Sequence, residues 1–467
     1  MIWFLIGSFI YSPVASASIQ FNDLVKGFFT TSQQAEVVKQ DRNRLNLEYD
    51  LAIGSFYDPV LSASYFSQFE GSYLNQRSDI SLLQRTPFWG AQVQLGYRFG
   101  RGAFPVYDGK LLTQNAGEAR FGLIVPILKN GFTDSFRTAI DKGDVSKVLS
   151  DFQEGSQNLQ LLQQLGNRYW DWFFQGKRFS VFQRLLGLAE KRQTQISKRV
   201  AHGDLAKIEE IEGERTILQR KSQLVQQERL FVRSQLELKS YVVDRLNKNG
   251  HEFSLQDIPE VEITKKVDTQ VLEKINAQVD DLEVALKQPE VQRQQLILDQ
   301  SRMDLSLAKN QFLPKLDFQL IGSRDLGVDV YPLSKFQSDA GVVFEFPIPS
   351  RAASARIEQS SASVIRQESQ FEISKMRVLN SIKESKFALT TASTRLDYSF
   401  TELELAQKLA DLENKRFLAG DSNLLLLNIR EQNLAEAEIR KFEAYADLEK
   451  ATNDYRVSTG DLKTLRN

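Results

Sequence analysis

Two periodicities divide this chain. Ala91, Val93, Leu95, Tyr97 and Phe99 are apolar, while Gln92, Gln94, Gly96 and Arg98 between them are polar or small. A period of two predicts a strand with one greasy and one wet face. Phe121, Leu123, Val125 and Ile127 repeat the apolar half before Asn130-Gly131 ends it, and Pro59 to Tyr65 opens the region, so strands are expected over about 54–128. A second strand region is expected over about 314–348, where Leu316, Phe318 and Leu320 alternate with polar residues. There Val342, Phe344, Phe346 and Ile348 also alternate with Val343, Glu345 and Pro347.

Elsewhere the apolar step is seven. Leu165, Trp172, Phe179 and Leu186 follow it, with Phe182, Ala189 and Ile196 beside them. The pairs Ile217-Leu218, Leu224-Val225 and Phe231-Val232 keep the same step. Seven residues per two turns means 3.5 per turn and a left-handed supercoil against neighbours. The predicted helices 132–198 and 205–247 therefore form a coiled-coil hairpin, its longer arm on the order of 100 Å at 1.5 Å per residue. In a helix predicted over 351–415, Ile357, Val364, Phe371 and Val378 keep one register. A shift of four to Ile382, Leu389, Leu396 and Leu403 then marks a stutter. The return helix runs to about 459, with the stripes Ala435-Ile439-Phe442-Ala446 and Ala444-Leu448-Ala451-Tyr455. A helix over 18–51 precedes the first strands. Helices 269–287 and 289–312 precede the second, with Pro289 suited to a first helical turn.

The two long hairpins have matching tips. Lys198-Arg199-Val200-Ala201-His202-Gly203-Asp204 and Lys415-Arg416-Phe417-Leu418-Ala419-Gly420-Asp421 share Lys-Arg-x-x-x-Gly-Asp at an offset of 217 residues, and Glu214 and Glu431 match at the same offset. Each glycine is placed to take the left-handed conformation that closes a helix, with arginine in the last turn facing its negative end. Asp421, Ser422 and Asn423 are candidate N-caps for the helix that follows. The order of elements predicts an internally duplicated protein: a first repeat over 18–250, a linker over 251–268 and a second repeat over 269–467.

Composition narrows the function. The chain has 467 residues and a formal net charge of −1 from 59 basic and 60 acidic residues, so no electrostatic case exists for nucleic acid. It has no cysteine, which removes disulfides and thiolate metal sites. Ile2 to Ile10 are apolar and Ala15-Ser16-Ala17 fits a cleavage site, so residues 1–17 read as a signal peptide for export. No segment has 18 consecutive apolar residues, the length a membrane helix requires. Strands of about ten residues match the ~9–11 that cross an outer membrane at a tilt. Four clear strands cannot enclose a passage, since a barrel of ~8 is already filled by side chains. Lipid also tolerates no open sheet edge. Three chains of four strands would close a barrel, with their helices continuing it as a tube.

At this point the chain resembles the TolC-type outer-membrane efflux protein family over nearly its whole mature length. The resemblance is carried by Pro289-Glu290 through Phe312-Leu313-Pro314-Lys315-Leu316, by Phe344-Glu345-Phe346-Pro347-Ile348, and by Arg416-x-x-x-Gly420-Asp421-Ser422 with Asn428-x-x-Glu431 and Ala435 behind it. Val125-Pro126-Ile127-Leu128 and Arg199-x-x-x-Gly203-Asp204 are weaker copies in the first half. The resemblance implies an α+β membrane protein: a homotrimer whose 12-stranded transmembrane barrel continues into a coiled-coil helical barrel through the periplasm. It implies a passive exit duct for a tripartite efflux or type I secretion system, in the outer membrane. The tips (Arg199, His202, Gly203 and Asp204; Arg416, Gly420, Asp421 and Ser422) would meet a periplasmic adaptor protein tied to an inner-membrane transporter.

One departure concerns the gate. Family members place carboxylates six and nine residues beyond the second tip glycine, where this chain has Leu426 and Ile429 inside Leu424-Leu425-Leu426-Leu427. The corresponding first-tip positions are Glu209 and Glu212. A charged ring from these two and an apolar ring from Leu426 and Ile429 form the expected gate, with solvated glutamates and wall-packing leucines as the plain alternative. No enzymatic constellation appears: His202 and His251 lack clustered partners, Ser306-x-x-Lys309 has no companion motif, and no phosphate-binding glycine loop is present. No cofactor is expected. Trp172, on the seven-step, is expected in the coiled-coil core. The aromatics of Pro87-Phe88-Trp89-Gly90 and Phe104-Pro105-Val106-Tyr107 suit a membrane-interface girdle, and exposed loop tips would serve equally. The competing reading is an exported periplasmic coiled-coil adaptor or stalk without a pore.

Overall fold

The computed structural model describes residues 18–242, 253–261, 263, 280–328 and 336–460. The expected signal peptide, part of the linker and most of the helix expected over 269–287 lie outside the described residues. In chain order the elements are α1 (Phe21–Thr31), α2 (Gln33–Tyr57), β1 (Val60–Gln68), β2 (Asn75–Arg85), β3 (Gln92–Gly102) and β4 (Glu118–Pro126). Next come α3 (Ser135–Ala201), α4 (Lys207–Lys239), α5 (Asp281–Lys287), α6 (Pro289–Gln311), β5 (Lys315–Asp325), β6 (Gln337–Glu345), α7 (Arg351–Ala419) and α8 (Leu424–Ser458).

The chain divides into two compact units that cut across the sequence halves. One comprises residues 40–154 and 289–375, and the other residues 1–39, 155–288 and 376–467.

The first unit holds the sheet. Six strands lie in sequence order β1 to β6, every neighbouring pair antiparallel. This corrects the four clear strands expected from the sequence: β3 is among those expected, whereas β2, which pairs along its whole length with β3, is not. In Asn75–Arg85 the period-2 signal is blurred. Ser78 shares a face with Ile80 and Leu82, while Leu83 sits on the polar face with Asp79 and Ser81. The β2–β3 turn places Trp89 and Gly90 at positive φ (55° and 67°) and sets Trp89 against Phe132, tilted by 49° with ring centroids 5.1 Å apart. At the other extreme, β6 stops at Glu345, short of the Phe346 to Ile348 that the alternation included.

The second unit is helical. The helix expected over 18–51 is split at Ser32, whose hydroxyl accepts a hydrogen bond from Gln34 N (3.2 Å) and donates to the Tyr241 carbonyl (3.0 Å). A serine that offers the backbone an alternative partner caps the second helix instead of continuing the first. Beside it lies an aromatic core: Phe28 of α1, Tyr169, Trp172 and Phe173 of α3, and Phe231 of α4 are all buried. Trp172 is fully buried, as its place on the seven-step demands, and each such large side chain contributes about 1.5–3 kcal/mol by burial. In α7 the stutter falls where the chain passes between units. Ile382, Leu389 and Leu396 beyond it are buried, whereas Ile357, Val364 and Phe371 before it are half-buried. No described helix is long and apolar enough to cross a membrane.

In this helical unit, burial raises the Asp454 carboxyl above its ordinary range, while the hydrogen bond from Gln163 and the charge of Lys450 pull it partway back. A carboxyl raised in the folded state adds stability below its unfolded pKa, and that contribution is lost as pH rises through the folded pKa. Asp454→Asn should therefore raise the thermal midpoint at pH 7 and give no gain near pH 3. Circular-dichroism melts at the two pH values check this; a lower midpoint at pH 7 would mean the Lys450 attraction outweighs burial.

Candidate functional site

The sheet sorts its side chains by solvent. Following the ladders, Leu61, Tyr65, Ile80, Leu95, Tyr97, Phe121, Phe318, Leu320, Val342 and Phe344 all fall on one face, and all ten are exposed. A soluble protein seldom leaves so wide an apolar surface open to water. The opposite face is mixed: it exposes Val60, Phe66, Ile321 and Val343 and carries an ionic row. Asp79 on β2 faces Arg98 on β3, Arg98 faces Glu118 on β4, and Glu118 faces Asp325 on β5. Arg98 pairs with Glu118 at 2.5 Å, and Gln114 N donates to Asp325 at 3.2 Å. Arg120 reaches across β3 to Asp79, passing over Gly96, which has no side chain to obstruct it. The row lies toward the strand ends remote from the helices. Sequence reading missed it because the apolar half of each alternation was followed and the polar half was not.

The two tips close alike. At the first, Asp204 N donates to the Arg199 carbonyl (2.9 Å) and Gly203 N to Val200 (3.0 Å). At the second, Asp421 N donates to Arg416 (2.9 Å) and Gly420 N to Phe417 (3.2 Å). These are the two bonds of a Schellman motif, which places its glycine in the left-handed region; φ is +82° at Gly203 and +85° at Gly420. Neither glycine has a heavy atom within reach of an added Cβ, so the backbone conformation alone selects glycine there. Asn423 is the cap for α8, accepting from Leu426 N at 2.9 Å, while Ser422 instead donates to Glu413. His202 bonds the Lys198 carbonyl (2.6 Å), and no metal-ligating cluster exists among the described residues. Both tips are exposed, Leu418 strongly so.

Just inside the tips, Glu212 and Ile429 line one groove of about 330 Å³ with Leu425, Arg215 and Asn428. Glu209 and Leu426 do not line it. Leu424 and Leu427 are buried, while Leu425 and Leu426 are exposed, so the leucine run is an amphipathic turn and not a uniformly apolar wall. Glu210, which sequence reading passed over, is held below its usual range by hydrogen bonds from Lys207 and Ser197.

At the back of the groove is an ion cluster in which Arg220 is buried and Arg192 and Glu431 are half-buried. Glu431 of α8 accepts from Arg192 of α3 (2.9 Å) and Arg220 of α4 (3.3 Å), and Arg220 also donates to the Leu185 carbonyl (2.7 Å). Burial lowers the Arg220 pKa and the Glu431 charge opposes the shift. Glu431 thus fastens three helices, whereas Glu214, its counterpart at the 217-residue offset, is exposed.

With this geometry in place, similarity to solved structures becomes informative. The Campylobacter jejuni CmeC outer membrane channel superposes with a TM-score of 0.66 at 12% identity, covering 97% of this chain and 90% of that one. The Vibrio cholerae outer membrane protein VceC gives 0.67 at 11% identity over 94% and 95% of the two chains. The open state of the Neisseria gonorrhoeae MtrE outer membrane channel gives 0.65 at 11% identity over 94% and 88%. The chain shares the fold of these outer-membrane channels. No protein-family model matches the sequence, and no curated protein matches it. The fold is therefore shared at identities of only 11–12%.

Removing the Glu431 carboxylate leaves Arg220 buried beside Arg192 with no anion. Glu431→Ala should destabilise the helical unit by about 3 kcal/mol, the range for breaking a buried pair, and Glu214→Ala should have little effect. Chemical denaturation of both variants checks this.

Proposed function

We propose that this protein is the outer-membrane exit duct of a tripartite efflux or type I secretion system. Its sheet stands in the outer membrane and its helical hairpins in the periplasm. The observation that carries the reading is the exposed apolar face backed by an ionic one, which suits lipid on one side and a hydrated lumen on the other. The shared fold with CmeC, VceC and MtrE supports it. Exposed Trp89, Phe88 and Phe132, near the end of the sheet where the helices attach, supply an interfacial aromatic girdle. In this reading the chain is a homotrimer, internally duplicated, and a passive conduit with no catalytic role. The tips at 199–204 and 416–422 dock a periplasmic adaptor that links the duct to an inner-membrane transporter. Glu209, Glu212, Leu426 and Ile429 form the gate, with Glu212 and Ile429 sharing its groove. A periplasmic stalk without a pore remains the rival, and the ten exposed apolar side chains of the sheet count against it.

The sidedness of the sheet makes a direct test. An arginine on the lipid face costs about 2–4 kcal/mol at the bilayer midplane. Leu95→Arg should therefore cut outer-membrane insertion at least tenfold, while Gln94→Arg, one residue away on the ionic face, should not. Equal behaviour of the two variants in membrane fractionation would reject the barrel.

The gate is tested in planar bilayers. The purified protein should show small discrete openings, and Glu209→Ala with Glu212→Ala should weaken cation selectivity. Unchanged selectivity would remove the glutamates from the gate.

A further inference from the structure

Six strands per chain alter what closes the sheet. We propose that β1 of one copy pairs along its whole length with β6 of the next, and that three copies close an eighteen-stranded barrel instead of a twelve-stranded one. The inference rests on the outer-membrane reading above.

Among the described residues the outer edges of β1 and β6 have no strand partner, and all nine residues of each strand are exposed. The apolar face runs to both edges, through Leu61 and Tyr65 on one side and Val342 and Phe344 on the other. Edges at that depth would leave backbone N–H and C=O groups in hydrocarbon, which membrane strands do not tolerate. A second copy of this chain is the occupant that fits. β1 and β6 are equal in length, and an even number of strands makes them antiparallel when copies stand side by side. Full pairing sets Val60 opposite Glu345 of a second copy. Leu61 then meets Phe344 and Tyr65 meets Ala340 on the lipid face, while Ser62 meets Val343 on the other. Both faces continue unbroken across the seam.

The register also yields a reasonable tilt. Across the ladders of one chain, Val60 is level with Leu83, Gln94, Gly122, Ile321 and finally Asp339. Pairing with residue 345 instead of 339 is a stagger of six residues per copy. Six residues climb about 20 Å while six strands span about 29 Å, a tilt of roughly 35°. That lies at the lower bound of the usual barrel range. The count of three is that of the homotrimer proposed above. Asp79, Arg98, Glu118 and Arg120 from every copy face inward and need water, and a barrel of ~16–18 strands keeps an aqueous channel.

The test uses the absence of cysteine from the chain. Ser62→Cys with Val343→Cys, and separately Ala63→Cys with Val342→Cys, place thiols opposite one another only between copies. Mild oxidation in membranes should give a covalent ladder ending at three chains in denaturing gels, collapsing with reductant, while each single variant stays at one chain. Bilayer conductance of the unsubstituted protein is recorded alongside. If that protein conducts but neither pair links, edge pairing is overturned and the channel reading stands. A ladder ending at two chains overturns the eighteen-stranded count. A protein that never enters a bilayer overturns both proposals.

Discussion

The strict two-residue alternation across six strands is the constraint on which the rest depends. A slip of one residue in any ladder would carry Asp79, Arg98, Glu118 or Arg120 onto the face that holds Leu95, Tyr97 and Phe121, and would reverse every side chain of the shifted strand. The cross-strand ionic row opposes such slips. Arg98 can meet Glu118, and Arg120 can cross Gly96 to Asp79, only in the observed register. Charge on one face therefore maintains apolar purity on the other.

The helical unit solves a different problem, keeping long helices in register where side chains repeat almost uniformly. A heptad stripe by itself permits sliding by one heptad, two turns of helix. The aromatic cluster around Trp172 and the Glu431 cluster with Arg192 and Arg220 are irregular features that permit only one alignment. Buried ion pairs contribute little net stability, but their geometric demands discriminate between alignments. That accounts for a charged trio behind the groove where an apolar layer would have packed as well.

Much of this was legible in the sequence. The seven-step placed Trp172, Leu389 and Leu396 in the core, and the paired glycines at 203 and 420 marked the tips, because each signal comes from one local geometric need. β2 was not legible, since Ser78 and Leu83 break its contrast and its pairing is decided by neighbours distant in the chain. The split at Ser32 turned on the bond from its hydroxyl to the Tyr241 carbonyl, a partner no local pattern announces. Residue spacing from the tip glycine chose Glu209, Glu212, Leu426 and Ile429, and of these Glu212 and Ile429 line the groove. The Glu431 match with Glu214 marked an offset but could not tell which of the two lies in the ion cluster.

The hairpin β2–β3 joins β1 and β4 at the strand ends remote from the helices, and only its tight turn, resting on Phe132, lies at the end nearest them. An insertion of this kind adds two strands without relocating any junction between strand and helix. Strand number and the placing of the strand–helix junctions are therefore separable properties of this fold: a hairpin can be gained or lost in the sheet while the points where strands meet helices keep their places.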